Sequence, residues 1–95
     1  MLTTEDLRDY LGVDSGNDKI IEQLQDEALD DLKKSTGIDW VGSENKTADS
    51  AIRAMVYLSF YGNRGEIKDP TFLDSFIRRK IVKLQTGTEA AQNGA

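Results

Sequence analysis

Apolar positions along this chain recur at three- and four-residue spacing in four stretches, separated by breaks rich in Gly, Asn, Asp and Ser. That is the period of amphipathic helices, and no strand-like alternation competes with it. The third stretch stands apart. From Ala51 to Tyr61 nine of eleven residues are apolar or aromatic, the exceptions being Arg53 and Ser59. A helix without a polar face must be covered on all sides. The pattern therefore predicts an all-α fold: a small bundle of about four helices with the third buried at its centre.

The first helix is expected from about Thr4 to Leu11. Thr3 serves as N-cap, Glu5 and Asp6 sit in the first turn, Leu7, Tyr10 and Leu11 form the apolar edge, and Gly12 ends it. Val13 to Asn17 reads as a turn. The second helix runs from about Asp18 to Ser35 on a stripe of Ile20, Ile21, Leu24, Ala28, Leu29 and Leu32, closed by Gly37. In the connector, Ile38, Trp40 and Val41 are expected to fold back on the core and residues 42–46 to form a polar, mobile loop. The third helix begins near Thr47 or Asp49, either able to cap it, and ends near Gly62. Asp69-Pro70 is a start signal for the fourth, with Asp as N-cap and Pro at the first helical position. Phe72, Leu73, Phe76, Ile77, Ile81 and Leu84 make its apolar face. The domain is expected over residues 1–86, with 87–95, small and polar, as a disordered tail.

Composition narrows the chemistry. The chain has neither cysteine nor histidine, so disulfides, thiolate metal sites and imidazole acid/base catalysis do not arise. No cofactor and no enzymatic activity are expected. Met1 to Leu11 carries Glu5, Asp6 and Asp9 with no apolar run, unlike a signal peptide, and no segment approaches the length of a membrane span. Charge is uneven. Residues 1–50 hold thirteen acids and five bases, and residues 51–95 hold four acids and seven bases. A subunit with an acidic and a basic face can pack head-to-tail with its own copies.

Asp14-Ser15-Gly16-Asn17-Asp18 begins like a calcium loop, but Lys19 stands where the sixth position requires glycine and Gln25 where the closing glutamate belongs. Asp26, Glu27, Asp30 and Asp31 lie on the polar side of the second helix, ahead of Lys33 and Lys34 in the stabilising order. They read as a solvated face or one that meets a neighbour's bases. Arg78, Arg79, Lys80 and Lys83 complement the dipole of the fourth helix or contact a neighbour's acids or DNA phosphate. The first two helices could imitate a helix-turn-helix. The second, however, carries six acids and three bases from Asp18 to Lys34 and would repel a phosphate backbone. Tyr61-Gly62-Asn63-Arg64 falls where the buried helix reaches solvent. There Asn63 and Arg64 either cap the helix end or reach into a neighbouring subunit.

The opening Leu2-Thr3-Thr4-Glu5-Asp6-Leu7 with Tyr10-Leu11 is one recognisable element. The others are the long helix closing at Ser35-Thr36-Gly37, the run Ala51-Ile52, Tyr57-Leu58, Tyr61-Gly62-Asn63-Arg64, and a short aliphatic-aromatic last helix. Together they resemble the small head–tail connector proteins of long-tailed double-stranded-DNA bacteriophages, over about Leu2 to Leu84. The resemblance implies a helical, non-enzymatic adaptor. Such subunits assemble as a ring of about a dozen copies beneath the portal. The ring extends the DNA channel and docks a stopper or tail-completion protein, in the neck of the virion after assembly in the host cytoplasm. It places Tyr61, Asn63 and Arg64 on the family's Tyr/Asn/Arg signature. The subunit and partner contacts expected from the residues and the resemblance together are Tyr61, Asn63, Arg64, Arg78, Arg79, Lys83, Asp26 and Asp30. In isolation the subunit can stay monomeric, because a template supplies the missing affinity. An alternative is a small acidic regulatory or antitoxin-like helical module that occupies a basic partner.

Overall fold

The structure, a computed structural model, describes residues 2–62, 65 and 71–85. Among these residues the fold is all-α: α1 (Thr4–Leu11), a short 3-10 turn (Ser15–Asn17), α2 (Asp18–Thr36), α3 (Lys46–Gly62) and α4 (Thr71–Gln85).

The ends of α1 follow from local chemistry. Thr3 Oγ1 accepts from Asp6 N at 3.1 Å while the Asp6 carboxylate accepts from Thr3 N at 3.0 Å, a reciprocal capping box. Gly12 closes the helix at φ +73°, a left-handed conformation that glycine adopts without a Cβ penalty. In the turn, Asp14 Oδ1 accepts from Gly16 N and from the Asn17 side chain. The carboxylate at the head of the calcium-like sequence is thus spent on backbone. Arg8 Nε then lies 3.1 Å from Asp18 Oδ1, an ion pair misaligned for a hydrogen bond that ties α1 to the start of α2.

The apolar third helix is central. From Thr47 to Tyr61 every residue is buried or half-buried, with Ala48, Ala51, Ile52 and Val56 at 1 % exposure or less. The core around it draws on Leu7 and Leu11 of α1, on Ile21, Leu24, Ala28, Leu29 and Leu32 of α2, and on Leu84 of α4. Arg53, its one charged residue past the first turn, places its guanidinium 5.7 Å from the Tyr10 ring, keeping the charge at the rim of the core. Trp40 is buried, and its indole N–H donates to Thr36 Oγ1 at 2.9 Å. The Thr36 hydroxyl in turn donates to the Leu32 carbonyl at 2.7 Å.

Several expectations are corrected. The cap of α3 is neither Thr47 nor Asp49. Asn45, itself buried, accepts from Ala48 N at 3.0 Å, and Lys46 is already helical, so residues 45 and 46 do not belong to a polar loop. Ile20, assigned to the α2 stripe, is exposed, and Gln25 is buried in that helix, its amide donating to the Leu2 carbonyl at 2.8 Å. Val41 and Phe72, both expected inside, are 63 % and 69 % exposed. With Trp40 turned inward, the adjacent Val41 faces out, and the chain reverses at Gly42. Asp69-Pro70 and the tail at 87–95 lie outside the described residues.

Candidate functional site

Among the described residues the acidic side chains form no close cluster: no three of them gather closely enough to hold a metal ion, and no helix is long and apolar enough to cross a membrane. Two shallow grooves of opposite charge stand out among the described residues.

The acidic groove, about 210 Å³, lies between α2 and the connector. It is lined by Asp26, Leu29, Asp30 and Lys33 of α2 with Asp39 and Val41. Asp39 Oδ1 accepts from Val41 N at 3.0 Å, which fixes the connector with the Val41 side chain at the groove's lip. Asp30 is paired with Lys34 at 2.8 Å, one helical turn on. This hydrogen bond and its attraction raise the lysine's pKa. Both side chains are more than half exposed, so the pair contributes little to stability. Asp26 and Asp30, taken together from the sequence, do share this surface.

The basic groove, about 240 Å³, is lined by Phe76, Arg79, Lys80 and Lys83 of α4. Lys80 Nζ sits 5.0 Å from the Phe76 ring centre, so the cation is carried over an aromatic face. Phe72, one turn before Phe76, continues the same stripe. Phe72, Phe76, Arg79 and Lys83 follow the i, i+4, i+7, i+11 spacing of a single helix face. Arg79 and Lys83 are therefore brought together, whereas Arg78, about 100° away round the helix, is exposed on a different side.

Tyr61 has a different place. Its ring is half-buried against Tyr57 (centroids 4.8 Å) and Phe60 (5.0 Å), and its hydroxyl donates to the carbonyl of Leu11. The last turn of α1 leaves carbonyls without helical partners. Gly12 N and Val13 N take that of Arg8, and Tyr61 takes that of Leu11. Asn63 and Arg64 lie outside the described residues.

A further carboxylate was missed by sequence reasoning. Asp49, on the first turn of α3, has one oxygen buried without a hydrogen-bond partner. Burial pushes its pKa up, the nearby Asp6 adds to that, and Arg53 opposes it. The exposed Val41 and the Asp39 bond were also missed. An Asp two residues before Val, next to a buried Trp, was the available signal.

Compared with known protein families, curated proteins and solved structures, the chain matches none.

Proposed function

We propose that this chain is a structural head–tail connector, or adaptor, of a tailed double-stranded-DNA phage or prophage. In this reading copies of the chain form a ring beneath the portal, extend the DNA channel, and offer a docking surface to the stopper or tail-completion protein. The protein acts by contact and not by catalysis, in the virion neck, after assembly in the host cytoplasm.

The observation that carries this reading is the disposition of charge on a closed core. The core-facing side of the apolar helix is covered within one chain, and the outside of the fold bears an acidic groove on α2 and a basic stripe on α4. The order of elements agrees with the connector resemblance, from the capped first helix to the buried helix ending at Tyr61-Gly62. Exposed carboxylates do not bind phosphate. A channel wall rich in them would let a duplex slide where a basic wall would hold it.

The test is co-migration. The protein is mixed with the purified portal ring of the same phage or prophage and run by size exclusion, with negative-stain imaging of the complex. A ring of this chain on the tail-facing end of the portal is expected. Separate elution at every protein ratio would reject the connector reading.

A further inference from the structure

Both charged surfaces face away from the core. On α2, Asp26 and Asp30 each lie about 160° round the helix from the buried Ala28. On α4, Arg79 lies about 160° and Lys83 about 120° round the helix from the buried Ile77. The acidic groove and the basic stripe are therefore separate outward surfaces on two helices.

We infer that the basic stripe of α4 docks into the acidic groove of a second copy of this chain, with Phe72 and Phe76 of one copy packed against Leu29 and Val41 of the next and Arg79 and Lys83 set against Asp26 and Asp30. Three features select a second copy as the occupant. The charges are complementary and carried by one chain. The acidic groove carries an apolar anchor left in solvent, Val41 at 63 % exposure, and the α4 stripe that continues the basic groove carries Phe72 at 69 %. Such anchors ringed by polar groups mark contact sites. Finally, the groove and the stripe are different surfaces on different helices, so one copy can offer its stripe to a second while its groove receives a third. The contact is heterologous, so it propagates until it closes into a ring or continues as a filament. A nucleic acid on α4 would match the bases but leave the acidic groove and Val41 unexplained.

This inference deepens the connector reading by naming the contact between its subunits, and it requires no portal to be examined. The experiment uses the full chain, half of it 15N-labelled, cross-linked at high concentration with a zero-length carbodiimide that joins carboxylates to lysines. Mixed-isotope peptides linking the Asp26–Asp30 segment to Lys80 or Lys83 are expected. Two charge reversals accompany it, D26K/D30K and R79E/K83E, with circular dichroism to establish that each stays helical. Each alone is expected to lose these cross-links and to weaken self-association at least tenfold. An equimolar mixture of the two restores both, since every contact between unlike copies again joins opposite charges. A chain carrying both reversals also self-associates. Cross-links confined to single-isotope species would overturn the inference, as would reversals without effect or a mixture that fails to recover. If the portal co-migrates with the wild type and with both reversals alike, this contact falls while the connector reading stands. If self-association follows the charge rules but no portal binds, the connector reading falls and the contact stands.

Discussion

Replacing Tyr61 by Phe separates the two roles open to the most specific segment of the connector resemblance. The substitution keeps the ring and its contacts with Tyr57 and Phe60 and removes only the hydroxyl. That hydroxyl is the partner of the Leu11 carbonyl, at the end of α1 and on a residue only 4 % exposed. A neutral hydrogen bond of this kind contributes about 0.5–1.5 kcal/mol net. A carbonyl left without a partner costs about 1–3 kcal/mol where water cannot reach it. Tyr61 is half-buried, so partial rehydration is available and a loss of about 1 kcal/mol is expected. In a domain of this size that lowers the unfolding midpoint by about 4–8 °C. The assay is urea and thermal unfolding followed by fluorescence of the single tryptophan. Trp40 is 4 % exposed and tied to Thr36, so it reports loss of the core directly. Tyr10→Phe, at a ring 46 % exposed, serves as the control and should change stability by less than about 0.5 kcal/mol. If Tyr61→Phe matches the control in stability yet fails to assemble, Tyr61 is a contact residue and the assignment of its hydroxyl to α1 is wrong.

Further expectations follow from the same structure. Ile52→Ala, at 1 % exposure in α3, should cost about 2–5 kcal/mol in urea unfolding, while Val82→Ala, 54 % exposed on α4, should cost less than about 0.5 kcal/mol; similar losses at both sites would deny α3 its central position. Thr3→Ala should destabilise by about 1 kcal/mol through loss of the α1 cap, seen as a lower urea midpoint. The hydrogen bonds from Thr3 hold the Asp6 carboxyl below its usual value of 3.8. Its contribution is then fully present above that pH and is lost as the pH falls through the lowered value. The stability gap between wild type and Asp6→Ala should therefore close in acid, and a gap that widens there would refute the capping assignment. Gln85→Ala should release the end of α4 from Ser35, seen as faster amide exchange over the last turn of α4 with α3 unchanged.

The fold was legible where one short stretch of chain carries its own cause. Thr3 with Asp6, Gly12 and Gly37 are local devices, and their helices end where those residues stand. The burial of α3 was legible because its composition leaves no polar face to expose. Exposure along the outer helices was not, since it depends on which flank a neighbour covers. Ile20 and Phe72 sit at positions with helical period, yet both side chains are exposed. Gln25 is buried because a partner 23 residues away, the Leu2 carbonyl, satisfies its amide, which no window of sequence displays. Asn45, Thr47 and Asp49 are all competent caps, and packing of the Asn45 side chain selected among them. Among the proposed contact residues, Asp26 with Asp30 and Arg79 with Lys83 were visible as charge on a helix face. Their place on two separate outward surfaces came from which sides of α2 and α4 pack into the core.

Sedimentation velocity of the unmodified chain, over a range of concentrations at low ionic strength and again in about 1 M salt where screening shortens to about 3 Å, addresses the exposed flanks most directly. Species larger than a dimer that grow with concentration and revert to the 10.6 kDa subunit in high salt are predicted. A 10.6 kDa monomer at every concentration in low salt would contradict the direct contact between α2 and α4 of two copies and leave only a ring that forms on a template.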